Sequence, residues 1–130
     1  MRYRVYFASF AGATGVALGA FGAHGLREFL EANSTLSTWN TAVLYHLIHA
    51  VALLAGSFIA IEKPLYARWA GSACSCWLAG IALFSGSLYL MALGGPRWLG
   101  PITPLGGLFF IAGWLCMLGV GRQIPKNCEK

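Results

Sequence analysis

Charge is scarce in this chain. Charged residues make up only 10% of its 130 positions, against about 25% in an ordinary soluble domain. A soluble fold of this size has a large surface relative to its volume and could not cover it with so few charges. No catalytic motif is present. No acidic residue falls in the long apolar stretches, and the cysteines lack C-x-x-C spacing. No basic stripe with interleaved aromatics lies on a solvated face, so the net charge of +5 is not a nucleic-acid signature.

What the chain has instead is apolar residues, 58% of the total, gathered in four uncharged runs at about residues 5–23, 39–61, 69–93 and 105–121. Each meets the roughly 17–25 residues that carry a helix across a hydrocarbon core. The pattern predicts one all-α domain over residues 1–130, an integral membrane four-helix bundle. A cleaved signal peptide competes for the first run, but the apolar core exceeds the usual h-region of about 7–15 residues.

The basic residues set the expected orientation. Arg2, Arg4, Lys63, Arg68, Arg122, Lys126 and Lys130 share one side of a four-span chain, and only Arg27 and Arg97 lie on the other. This positive-inside bias puts both termini in the cytoplasm. The basic residues read as topology anchors, with some attraction to anionic lipid heads of the surrounding bilayer. Trp39, Trp69 and Trp98 fall at span ends, where indoles favour the interface, whereas Trp77 and Trp114 fall inside spans as packing or lipid-facing residues.

All five prolines lie outside the predicted spans. Thr103-Pro104 reads as a helix N-cap followed by proline at the first helical position. Gly94-Gly95-Pro96 reads as a helix stop. Between the first two spans, Leu26, Phe29 and Leu30 alternate with Arg27, Glu28 and Glu31, the pattern of a short interfacial helix. Asn33-Ser34-Thr35 matches a glycosylation sequon, a three-residue pattern of low specificity.

Helical phase predicts the packing faces. Gly12, Gly15, Gly19 and Gly22, with Ala8 and Ala11, project to one side of the first span. Ser72, Ser75, Ala79, Ala82 and Gly86 form a similar stripe on the third, with Trp77, Ile81, Phe84 and Leu88 opposite. Lipid gives helices no hydrophobic drive to associate, so close approach through small residues is expected to join spans one and three. The alternative is a seam for a membrane-protein partner or a second copy.

The second span carries Tyr45, His46 and His49. Polar groups in hydrocarbon are costly unless paired, so this face should point into the bundle. Ser85, Ser87 and Tyr89 on span three fall in the same outer half, with His24 closing span one and Thr103 opening span four nearby. These eight residues form the candidate polar network or ligand pocket. Two histidines at i, i+3 lack a third metal ligand at that depth, so no metal site is predicted. A bis-histidine haem is disfavoured by a depth difference of roughly 13 Å between His24 and His49. A quinone or another small apolar molecule could use histidine and tyrosine as hydrogen-bond partners. The structural alternative is a network in which Tyr45 or Ser85 satisfies a histidine and fixes helix register. The cofactor is left unassigned.

Cys74, Cys76 and Cys116 fall in the inner halves of spans and Cys128 in the tail, so structural disulfides are not expected. Cys74 and Cys76 project roughly 200° apart on a helix, a poor arrangement for a thiol oxidoreductase.

Four motifs in order, Gly19–Gly25 (GAFGAHG), Tyr45–Ala50 (YHLIHA), Leu83–Leu90 (LFSGSLYL) and Ile102–Gly107 (ITPLGG) followed by Ala112-Gly113-Trp114, resemble the YgdD-like family of small inner-membrane proteins. One position departs from that family's pattern, where His46 is often glutamine. The resemblance implies a four-span protein of the bacterial inner membrane, brings no established activity and carries no catalytic residues. The leading expectation is a non-enzymatic accessory or assembly subunit of a larger membrane complex. The alternatives are a binder of a small molecule or cofactor (quinone, haem or lipid), and a small transporter or channel.

Overall fold

The computed structural model describes residues 3–62 and 64–124. Arg2, Lys63, Lys126 and Lys130 of the charge pattern, together with Pro125 and Cys128, lie outside the described residues. The elements are α1 (Tyr3–Ala23), α2 (Arg27–Ala32), α3 (Leu36–Glu62), α4 (Ala67–Gly80), a π-helical turn (Ile81–Ser85), α5 (Gly86–Ala92), a 3₁₀ turn (Arg97–Leu99) and α6 (Ile102–Gly121). Among the described residues there is no strand.

Four helical columns are long and apolar enough to cross a membrane: Tyr3–Ala23, Leu36–Glu62, Ala67–Ala92 and Arg97–Gly121. The helices begin two or three residues ahead of the uncharged runs, taking in Arg4, Ser37 and Arg68 in their first turns. Side chains that would be costly in hydrocarbon are tolerated near helix ends because they reach back to the interface.

The columns run up and down, and each packs on the next. The end of α1 meets the start of α3, where Gly22 lies under Trp39. The end of α3 meets the start of α4, where Gly56 lies against Cys74 and Trp77. Along α6, Gly119, Gly113 and Gly106 lie in turn against Trp69, Trp77 and Phe84 of the third column. Over their apolar lengths the two central columns are 39% buried, against 22% for the first and 17% for the fourth. The first and fourth columns are therefore peripheral, and large side chains such as Phe10, Val16, Leu108 and Leu115 stand exposed on them.

The small-residue stripes do not meet as expected. The α1 stripe faces α3: a side chain at Gly15 would stand 2.7 Å from Leu47, and one at Gly19 would touch Val43 at 3.3 Å. Only near the Arg4 end does α1 reach α4, through Ala8 beside Cys74 and the Arg4 guanidinium over Gly71. Gly12 faces open space. On the third column the inside and outside are exchanged. Trp77 and Ile81 are buried while Ser72, Ser75 and Ala82 are exposed, and Ala79 and Gly86 are half-buried.

Two physical causes account for the exchange. The glycines of α6 form hollows that accept bulky rings, so the bulky face of the third column is the one that packs. At Gly106 the fit is backbone to side-chain hollow, since an added Cβ would lie 2.8 Å from the Cα of Phe84. The π turn, in which the Gly86 amide donates to the Ile81 carbonyl five residues back, also interrupts the 3.6-residue phase between α4 and α5.

Helix ends follow chain chemistry. The third column stops in a Schellman arrangement, with Gly94 at φ +88° and amides of Gly95 and Gly94 donating to the carbonyls of Leu90 and Met91 at 2.8 and 3.1 Å. α2 ends the same way, with Ser34 rather than glycine at the left-handed position, φ 55°. Leu30 is fully buried under the short helix, and Arg27 pairs with Glu31 at 2.8 Å on its exposed side. Thr103 is not an N-cap. α6 starts at Ile102, and the Thr103 hydroxyl instead crosses to Ser87. Pro104 sits in the first turn, where its missing N–H leaves no helical bond unmade.

Candidate functional site

The eight polar residues read from the sequence separate into three groups and two isolated members. His46 and His49 lie on α3 three residues apart, yet they serve different neighbours. His46 turns toward α1 and α5, and its Nδ1 pairs with the Tyr89 hydroxyl at 3.2 Å in a buried position. The Tyr89 ring packs edge-on against Trp39 with centroids 4.8 Å apart, and Trp39 in turn donates its indole N–H to the Leu18 carbonyl at 3.0 Å. Trp39 is thus a buried core residue at a span end. Trp98 is exposed, and Trp69 is partly exposed over Gly119.

His49 turns toward α6. Its Nδ1–H donates to the Tyr45 carbonyl at 2.8 Å, a backbone oxygen that can only accept. That assigns Nε2 as the unprotonated nitrogen, and Trp114 donates its indole N–H there at 3.2 Å. The imidazole also stacks on Phe110, centroids 3.6 Å apart and planes 12° from parallel. A histidine with both nitrogens engaged and one face covered has a fixed orientation.

The third group joins α5 to α6. Ser87 gives its single proton to the Phe84 carbonyl at 3.0 Å, so Thr103 donates to the Ser87 oxygen at 2.6 Å. Ser85 is fully buried, and its hydroxyl has no partner among the described residues. Neither Tyr45 nor Ser85 satisfies a histidine through its side chain; Tyr89 and Trp114 do. His24 is exposed at the end of α1, beside Ala20, Phe21 and Gly25, apart from the other seven.

A groove of about 380 Å³ lies between α3 and α6 on the lateral surface of the bundle. Tyr45, His49, Phe84, Gly107, Phe110 and Trp114 line its wall and floor. Trp114 and Phe110 were not among the expected site residues. The clue to Trp114 was its type: a buried or half-buried indole has an N–H that needs an acceptor, and His49 is the acceptor at matching depth. Among the described residues no three of His, Cys, Asp and Glu gather closely enough to hold a metal ion. Cys74, Cys76 and Cys116 are free thiols, with Cys74 buried beside Ser57 at 3.8 Å.

Four long apolar columns and exposed hydrophobic flanks define a multi-pass membrane protein of the four-helix bundle class. Residues 18–107 match the family described as "Protein of unknown function (DUF423)", and the chain belongs to that family. It is 46% identical over 108 residues to a UPF0382 membrane protein of Staphylococcus saprophyticus, covering 82% of this chain and 84% of the relative. It is 42% identical over 108 residues to the UPF0382 membrane protein YwdK of Bacillus subtilis, covering 79% and 82%. A UPF0382 membrane protein of Schizosaccharomyces pombe is 37% identical over 118 residues, covering 85% and 94%. No solved structure matches the chain.

Proposed function

We propose that the chain is a non-enzymatic accessory or assembly subunit that packs within a larger complex of the bacterial inner membrane, with both termini cytoplasmic. The observation that carries this reading is the outward turn of the third column's small-residue stripe. Ser72, Ser75 and Ala82 are exposed there, on a column whose bulky face is already used by α6. A lipid-facing stripe of small residues lets a second helix approach closely, which is the main source of helix association in a bilayer. The short connections between columns leave little surface outside the membrane for recognition, so a partner docks through the bilayer. The four motifs that resemble the YgdD-like proteins support grouping the chain with them.

Purification in mild detergent tests the reading. A defined heterocomplex is expected, and Ala82→Phe is expected to release the partner without lowering the stability of the chain itself. A lone monomer across several mild detergents overturns the proposal, as does a complex indifferent to Ala82→Phe. A complex made only of copies of this chain moves the stripe's role to self-association.

A further inference from the structure

The groove between α3 and α6 is a different feature from the outward stripe, and its chemistry is more specific. Five of its lining side chains are aromatic rings: Tyr45, His49, Phe84, Phe110 and Trp114. Several are held near parallel, His49 to Phe110 at 12° and Tyr45 to Phe110 at 24°. Tyr45 and Trp114 are partly exposed at 39% and 49%, so the groove opens sideways, toward lipid. Its volume of about 380 Å³ lies in the range of small-molecule sites, roughly 300–1,000 Å³.

Hydrogen-bonding capacity narrows the occupant further. The His49 Nδ1–H is spent on the Tyr45 carbonyl and Nε2 on Trp114. The Tyr45 hydroxyl makes no hydrogen bond to another described residue, although the Tyr45 ring is fixed against Phe84 with centroids 4.7 Å apart. The groove therefore presents flat apolar walls and one unspent hydroxyl donor, with no unspent charge. A plain acyl chain would leave that hydroxyl facing hydrocarbon, where an unpaired polar group is costly.

We infer that this groove binds a lipid-soluble molecule with a flat ring and a carbonyl acceptor, of the quinone type. The ring lies against Phe84 and the exposed face of Trp114, its carbonyl accepts from Tyr45, and its tail leaves sideways into the bilayer. His49 serves as a positioning residue, because its two hydrogen bonds hold Trp114 and the α3–α6 spacing. The inference is independent of whether the chain joins a complex.

The test uses the full chain in phosphatidylcholine nanodiscs, with decylubiquinone as probe and tryptophan fluorescence as readout. Saturable quenching is expected. Tyr45→Phe keeps the ring and removes the donor, and is expected to weaken binding roughly three- to tenfold, the worth of one net hydrogen bond. Gly107→Leu fills the groove and is expected to abolish saturation. Gly107→Ala serves where the larger change unfolds the protein, since an added Cβ would meet Phe84 at an ordinary 3.7 Å. Quenching that never saturates overturns the inference, as does a Tyr45→Phe titration equal to that of the unmodified chain. Equal displacement of the probe by decane, which offers the Tyr45 hydroxyl no acceptor, assigns the groove to plain acyl chains and overturns it too.

Discussion

Trp114 donates its indole N–H to Nε2 of His49 at 3.2 Å, a bond that joins α6 to α3 across 65 positions of sequence. Because Nδ1–H of the same ring is given to the Tyr45 carbonyl, the imidazole is held as the Nδ1–H tautomer. Nitrogen-15 NMR of labelled histidine in detergent micelles should show that tautomer for His49, and the Nε2–H form would contradict the geometry. Trp114→Phe keeps an aromatic in place and leaves Nε2 without its donor. Interhelical hydrogen bonds in membranes average about 0.6 kcal/mol and reach about 1.7, so a loss of roughly 0.5–1.5 kcal/mol is expected in a detergent unfolding titration.

The glycines of the bundle should divide sharply on substitution by alanine. At Gly106 the new methyl group would sit 2.8 Å from the Phe84 Cα, and backbone at the centre of a packed column has nowhere to move. Overpacking of this kind costs typically about 1–3 kcal/mol. At Gly12 nothing lies within 4 Å of the added atom, and alanine is the better helix former. Gly106→Ala should lower the unfolding midpoint, and Gly12→Ala should leave it unchanged or raise it. Equal effects at both positions would refute the packing of α6 on the third column.

The number of columns, the short helix α2 and the Gly94 stop were legible from the sequence, because each rests on a local rule: an uncharged run, an alternating pattern, a glycine before proline. The facing of the third column was not. Lipid is as apolar as leucine, so a bulky face and a small face are both acceptable on either side, and only the neighbour decides. The deciding neighbour was α6, whose Gly106, Gly113 and Gly119 form hollows for Phe84, Trp77 and Trp69. The π turn at Ile81–Ser85 also changed the phase within a span read as uniform. The single polar cluster expected from the sequence separates into distinct pairs, and that pairing was not legible. Three positions on a helix separate His46 and His49 by enough rotation that one finds Tyr89 and the other Trp114.

The two Schellman ends give a matched pair of substitutions. Ser34 holds φ 55° and Gly94 holds φ +88°, in the region where a Cβ is disfavoured by roughly 1–2 kcal/mol. Ser34→Gly should therefore stabilise the protein by up to about 1 kcal/mol, and Gly94→Ala should destabilise it by a similar amount. Thermal unfolding followed by circular dichroism reads both. A destabilised Ser34→Gly would mean that the serine side chain contributes more than its backbone strain costs.

Orientation can be tested through the same end-to-end asymmetry that the columns display. Arg4, Arg68 and Arg122 stand at one end of the bundle, and Arg27 and Arg97 at the other. On the four-span reading of the sequence, seven basic residues are expected on the first side against two on the second. Short basic segments resist translocation, and the resulting bias sets the direction of insertion. A fluorescent protein fused to the C-terminus should therefore glow, and alkaline phosphatase fused at the same point should be inactive. A phosphatase inserted between Ser34 and Thr35 should be active. Replacing Arg4, Arg68 and Arg122 by glutamine while adding three arginines between α2 and α3 should shift a measurable share of molecules to the opposite arrangement. If the C-terminal phosphatase fusion is active in the unmodified chain, the charge rule does not govern this protein and the cytoplasmic assignment of its termini is wrong.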